Sequence, residues 1–549
     1  MILSSEELSD STPLIATVCI VGSGAAGIAL ACDLDKCGFK VLLLEAGGLK
    51  LDTAASDDFY KGTATAPHPN PAEFRRVMFG GTTSIWGGRC VPFDRIDFER
   101  RDYIPNSGWP ISYDDVLRYY PRAMAYCDAG TFDFTVGGSL PGKTSTIAGF
   151  SDDSVVMANR IERYSLPTDF GKRYRERLAR SENVTVILHA RCVALKKSAG
   201  EDRVESIEFI DRNGQRKRVQ AQAFVLAAGG METTRLLLAA DPEGRGLGNA
   251  SDHLGRYYAC HFENVFGKLI PNSARVAFDF EKTADGVYCR RKMQFSADAQ
   301  RQHRLLNTAF RLHFPEYSDA SHGSPVMSAI YLAKSTLLPE YQMILQHSAQ
   351  LPVKSPATAH LRNVVLGLPK LVVFAFDWLF RGTLATRKLP YTLVPNADGS
   401  FPLEFNSEQT PLASSRITLT NEVDRHGLRR VHAEWRVCEE DVEAAKRAYA
   451  LLRETLNRTP VCRLEFDEER LHSSISRSVP LGGHHIGTTR MAATAANGVV
   501  DQNCSVFESP NLFIASSSVF PTSSHANPTL TIVALALRLA EHLKAKFAA

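Results

Sequence analysis

The run Gly22-Ser-Gly24-Ala-Ala-Gly27 constrains this chain more than any other feature, because of what stands on either side of it. Before it, Thr17-Val-Cys-Ile-Val21 is a short apolar run that reads as a buried strand. After it, a small-residue pattern through Asp35 reads as a helix, and Lys40-Val-Leu-Leu-Leu-Glu45 as a second buried strand. Strand, glycine turn, helix and strand within about 30 residues make a βαβ unit with a right-handed crossover. In such a unit Gly22 permits the tight turn, Gly24 lets the backbone approach a pyrophosphate, and Gly27 lets the helix pack against the strand. Ala25 and Ala26 open the helix, whose free N–H groups and positive dipole end face the phosphates. Glu45 follows Gly22 by 23 residues and is placed to accept hydrogen bonds from both hydroxyls of an adenosine ribose. A carboxylate there disfavours a 2′-phosphate and so argues against NADP. The motif does not separate NAD from FAD.

With 549 residues the chain is too long for one ordinary core; two domains are the default and three are open. A formal net charge of +3, with no long run of Lys or Arg, argues against nucleic acid as a partner. The first fifteen residues carry acidic charge and no basic region, so they do not read as a signal peptide. The eleven cysteines show no CxxC pair and no metal-ligand spacing, so no metal is expected. They read as reduced thiols in a cytoplasmic protein. Val364 to Phe380 is apolar but interrupted by Pro369, Lys370 and Asp377, and too short to span a bilayer. It reads as a buried helix pair or a cover over a pocket in preference to an interfacial membrane contact, so a membrane partner is not expected.

The fold class expected is α/β (α+β overall), a Rossmann-like nucleotide domain with an inserted antiparallel-sheet substrate domain. Residues 1–110, 185–265 and 480–549 form the first; 111–184 and 266–479 form the second. Arg191–Lys197 and Arg203–Asp211 read as a strand pair, Phe224–Ala228 as a buried strand running into Gly229-Gly230, and Glu440–Asn457 as an amphipathic helix.

Several separate patches resemble the glucose-methanol-choline (GMC) oxidoreductase family and occur in its order. Leu44-Glu-Ala46-Gly-Gly48 is similar to the family's second-strand signature. Phe79-Gly80-Gly81-Thr82-Thr83-Ser-Ile85-Trp86-Gly87-Gly-Arg89 is similar to its flavin-side loop. Ala227-Ala228-Gly229-Gly230 resembles the strand and turn that return to the cofactor. Gly483-His484-His485-Ile-Gly-Thr-Thr-Arg490-Met491 through His525-Ala-Asn527-Pro528-Thr529-Leu-Thr531 is the most specific match. The resemblance implies FAD held along these residues, with Val193 and Ser516 joining them; Ser516 stands where relatives often carry Asp. Some relatives link the flavin through a His in the loop, where Ile85 stands here, so non-covalent FAD is expected.

The resemblance also implies the chemistry: oxidation of an alcohol, with the hydride going to flavin N5 and the hydroxyl proton to a base. The family pattern selects His484 as that base over His485, and Asn527 as its partner over the rival His525. A neutral imidazole suits the role, because its ordinary pKa near ~6.5 leaves it largely unprotonated at neutral pH. Asn527-Pro528 reads as an N-cap followed by Pro at the first helical position. Arg490 reads equally as an anion binder or as half of an ion pair. The loop and the C-terminal block look most like sugar- and glycoside-oxidising members, those resembling pyranose oxidase, so a sugar, polyol or glycoside is the first substrate class. An aromatic or terpenoid alcohol is the second, if Phe374, Phe376, Trp378 and Phe380 cover the pocket, and a lyase on the same FAD fold is a further alternative. The electron acceptor (O₂, a quinone or a redox protein) and the oligomeric state are not fixed by any motif.

Overall fold

The computed structural model describes residues 1–547 apart from 9–12, 144, 151–153, 199–201, 242–244, 273–274, 334–354, 479 and 481–482. Its first sheet has six parallel strands among the described residues, the short Ile2–Ser4 at one edge followed by five longer ones: β1 (Leu14–Val21), β2 (Val41–Leu44), β3 (Val184–Leu188), β4 (Arg216–Leu226) and β5 (Ser509–Ile514). Their spatial order is β3-β2-β1-β4-β5, the doubly wound arrangement in which ligands sit beyond the carboxyl ends of the strands. Strands buried on both faces must be apolar throughout, and Val41-Leu-Leu-Leu44 is fully buried. Helices α1 (Ala25–Leu34), α2 (Gly230–Ala239) and α3 (Thr529–Phe547) start just past β1, β4 and β5. Alanine-rich α1 packs along α3, a close approach that small side chains allow.

A second, largely antiparallel sheet runs through Phe262–Pro271, Phe401–Ser407, Thr308–Leu312, Tyr288–Phe295 and Val156–Tyr164, ending at Arg89–Cys90. One face is apolar: Phe310 and Phe405 pack on Tyr449 of the helix Glu439–Asn457. The other carries charge. Along Tyr288–Phe295 every residue is buried, yet alternate positions are Arg290, Lys292 and Gln294. Across the ladder Arg290 stands opposite Glu162, and Arg311 opposite Glu404. A strand buried on both faces with ions along one of them has its polar face turned to something other than a hydrophobic core.

The division of the chain differs from expectation over 111–184. Helices Tyr113–Leu117, Tyr120–Cys127 and Phe170–Ala179 all pack in the first core, because their buried residues meet α3 and α1. Within this stretch the strand Val156–Tyr164 is the part paired into the second sheet. None of the eleven cysteines forms a disulfide, and nine of them are buried. A larger correction concerns Val364–Phe380. It is helical, but no residue of Leu368–Trp378 is buried, and Phe376 and Phe380 are 60% and 61% exposed. An apolar composition suits both a buried helix and one that faces a partner; only the tertiary arrangement separates them.

Candidate active site

At the carboxyl edge of the first sheet a cleft of about 1390 Å³, counting its open mouth, runs between the glycine turns. Its walls are the β1–α1 turn (Gly22, Gly24, Ala25, Ala26), the end of β2 (Glu45, Ala46) and the loop residues Gly81, Thr82, Thr83 and Trp86. The β4–α2 turn (Ala228, Gly229), Ser516, and Pro528 with Thr529 at the start of α3 close it, and His484 lines it as well. Gly22 has φ of +101°, and a Cβ there would lie 2.7 Å from the Ala227 carbonyl oxygen. At Gly27 a Cβ would lie 1.9 Å from the Gly22 carbonyl oxygen, so this residue serves packing and is not on the cleft wall.

Glu45 binds the glycine turn to the second strand. One of its oxygens accepts from Ser23 N–H (3.0 Å) and Ser23 Oγ (2.6 Å), the other from Gly47 N–H (2.9 Å). Burial pushes its carboxyl up, against the pull of those hydrogen bonds. A dinucleotide fits this cleft by three observations. Added Cβ atoms on Gly24 and Gly229 would meet nothing within 4 Å, so both turns open their backbone to the space. Arg76, on the wall, has a buried Nε with no acceptor among the described residues, a donor suited to an anion. The first turn of α3 offers its N–H groups at the far end.

Some sequence-predicted positions stand off the wall. Val193 lies in the core one residue past the lining Cys192. Gly80 packs on the Phe170–Ala179 helix, where a Cβ would lie 2.5 Å from Gly171 N. Ile85 and Gly87 flank the lining Trp86.

His484 Nε2 lies 3.2 Å from Asn527 Nδ2. Arg89 resolves which atom donates: its Nε bonds Asn527 Oδ1, and a guanidinium has only donors, so the amide NH₂ is the end that faces His484. The imidazole Nε2 is therefore an acceptor, with a lone pair available. Burial, and secondarily the charge of Arg89, hold the His484 imidazole down to about 3, so the ring is neutral throughout the working range. Its Nδ1 has no hydrogen-bond partner among the described residues, and His261 packs edge-on against it with ring centroids 4.7 Å apart.

Asn527 is not the helix cap its sequence suggests. The first helical bond runs from Ile532 N–H to Pro528 O (2.8 Å), which makes Pro528 the cap, and the Asn527 amide is taken by Arg89 and His484. His525 turns the other way, to Lys292 Nζ (3.1 Å) and Asp94 Oδ2 (3.3 Å). His485 stacks on Tyr258. Arg490 makes no ion pair among the described residues: it lies over the Tyr257 ring at 4.6 Å and donates to the Asn106 carbonyl at 2.9 Å.

The charged face of the second sheet meets this pair through Arg89. The guanidinium reaches Glu263 (3.5 Å) and Glu162 (4.0 Å); Glu162 binds Arg311 (2.8 Å), and Arg311 and Arg290 bind Glu404 at 3.0 and 2.9 Å. Lys292, lowered to about 8 by burial, completes four cations against the carboxylates of Glu162, Glu263, Glu404 and Asp94. Arg89 closes the quoted loop motif, but its partners Glu162, Glu263 and Asn527 lie far along the chain, and His261 had no motif around it. Sequence reasoning passed over both as site residues.

A family model described as GMC oxidoreductase matches residues 411–536. The 2-methyl-1,2-propanediol dehydrogenase of Mycolicibacterium austroafricanum is 22% identical to this chain, over 96% of this chain and 95% of that protein. The C-glycoside 3-oxidase of Arthrobacter globiformis is 48% identical over 56 residues, 10% of this chain and 11% of the other. Among solved structures, a fungal aryl-alcohol oxidase superposes with a TM-score of 0.55 at 13% identity, covering 99% of this chain and all of that one. That last likeness is one of fold.

Proposed function

The chain belongs to the GMC oxidoreductase family, an FAD-dependent alcohol oxidoreductase, and from that premise we propose that it oxidises a secondary or primary hydroxyl of a sugar, polyol or glycoside. The observation that carries this reading is the charged face of the second sheet, which leads through Arg89 to the His484–Asn527 pair. Buried ion pairs of this kind contribute little net stability against apolar packing, so a cluster this large is better explained by what it binds. Hydroxyl groups both donate and accept, and a face of guanidinium, ammonium and carboxylate groups offers partners for several at once. The aromatic-alcohol reading loses its support, since Phe376 and Phe380 lie at the surface. The names of the diol- and glycoside-oxidising relatives point the same way.

When bound, FAD supplies the hydride acceptor. The chain's own part is the proton. A substrate hydroxyl placed between the two side chains donates to His484 Nε2, and its oxygen takes the Asn527 N–H now turned to that nitrogen. As the proton moves to Nε2, the amide stabilises the negative charge growing on the oxygen, and Arg89 holds that amide in place.

Anaerobic mixing with a panel of polyols, sugars, glycosides and aromatic alcohols tests the reading. The expected result is loss of flavin absorbance near ~450 nm with polyhydroxy compounds. Bleaching by aromatic alcohols alone, or by nothing, would overturn it. Repeating the panel with oxygen uptake and an acceptor dye assigns the acceptor.

We further infer that FAD is held without a covalent bond. Ile85 offers no nucleophile, and burial raises the Cys192 thiol to about 12, which leaves it unreactive. Acid precipitation is expected to leave the yellow colour in the supernatant; a yellow pellet refutes this. Eleven cysteines without a disulfide favour a reducing compartment, and we place the protein in the cytoplasm.

A further inference from the structure

Ala357–Leu366 and Leu368–Leu384 form a helical pair turned by 80° at Gly367. Of the sixteen large apolar side chains open to solvent among the described residues, ten fall between 361 and 384. Val365, Leu366, Val373, Phe376, Phe380 and Leu384 are each 60–72% exposed. Soluble proteins ordinarily scatter such residues singly, and a contiguous patch marks a surface that something covers. The pair is held firmly from beneath: Trp378 packs against the cluster of Tyr164, Tyr288 and Leu389, and His360 is buried against Tyr331. Its open side is thus a built face.

Three features select what covers that face. Each helix alone is too short to cross the hydrocarbon core of about 30 Å, since seventeen residues rise only about 25 Å. The 80° turn lets both lie in one plane instead. Between 355 and 388 the sequence holds five cations and one carboxylate; Arg381 pairs with Asp377 and Arg387 with Asp128, which leaves Arg362, Lys370 and Lys388 in no ion pair among the described residues. Arg362 and Lys370 are exposed on the same two helices. An apolar face with a cationic excess is the pattern of a helix lying in the interface of an anionic bilayer. Two copies of this chain pressed face to face would instead set like charges together.

We propose that this bent pair docks the protein flat on an anionic phospholipid surface. The proposal is independent of the substrate reading above. Its test uses full-length holoenzyme sedimented with vesicles of phosphatidylcholine, with and without phosphatidylglycerol. The expected result is co-sedimentation with the anionic vesicles, weakened by salt, and lost by at least about tenfold in the variant Val373→Asp/Phe376→Asp/Phe380→Asp. Alcohol oxidation in solution should be unchanged in that variant, which shows that it folds.

Failure of the wild-type protein to sediment overturns the proposal, as does equal sedimentation of the variant. Equal binding to pure phosphatidylcholine overturns the assignment of an anionic surface. A wild-type dimer that the variant splits, with no vesicle binding by either, assigns the face to a second copy and overturns the proposal as well.

Discussion

Replacing His484 by Ala is expected to slow reduction of the bound flavin by roughly 10²–10⁴-fold while FAD stays bound, because what is lost is the acceptor for the hydroxyl proton. His484 lines the cleft together with the glycine turns and Glu45, and removing its ring leaves those turns and their backbone in place. Stopped-flow reduction under anaerobic conditions reads the rate, and the flavin absorbance of the desalted variant reads occupancy. A variant that is reduced at the wild-type rate would take His484 out of the mechanism.

The pH dependence separates this role from a merely structural one. Burial and Arg89 lower the His484 imidazole to about 3. A lowered pKa keeps the ring neutral, and so able to accept, further into acid than an ordinary imidazole. The wild-type reduction rate should therefore hold between pH 8 and pH 5, where a base with an ordinary pKa of ~6.5 would lose most of its neutral form.

The turn and its setting were readable because they are local. Spacing alone places Gly22, Gly24, Gly27 and Glu45, and a strand-turn-helix pattern leaves few folds to choose among. The charged face of the second sheet was not readable for an equally physical reason. Tyr288–Phe295 reads Tyr-Cys-Arg-Arg-Lys-Met-Gln-Phe, in which Arg290 and Lys292 look like the solvent side of an edge strand. Their partners Glu162 and Glu404 come from strands more than 100 residues away, so nothing local says that they are buried. Asn527 misled in the opposite way. Asn-Pro-Thr carries the signature of a helix start, but a long-range partner, Arg89, competes for the side chain and takes it. The apolar stretch at 364–380 shows a third limit: hydrophobicity reports that a face needs cover, and not what covers it.

Arg89 is where these long-range contacts meet, and its removal is the second large effect expected. It touches no cleft wall; it acts by holding Asn527, and is a positioning residue. In Arg89→Met the amide loses the donor that fixes its orientation, and Glu162 and Glu263 lose a shared cation. Reduction should slow by roughly 10²-fold, the scale of effect when a catalytic group is left loosely placed. The acid limb of the rate should also move to higher pH. Arg89 holds the His484 pKa down, and the two carboxylates it leaves behind favour the protonated ring, so both changes raise that pKa. Arg89→Lys divides charge from geometry. It keeps the cation, so the acid limb should stay low, but a compact ammonium cannot replace the planar fork that engages Asn527 and the carboxylates together, so the rate should still fall. Rate against pH for both variants tests this even if one of them folds poorly. A lysine variant with full wild-type rate would show that Asn527 needs charge nearby and not a held amide. An unshifted acid limb in the methionine variant would remove Arg89 from control of the base.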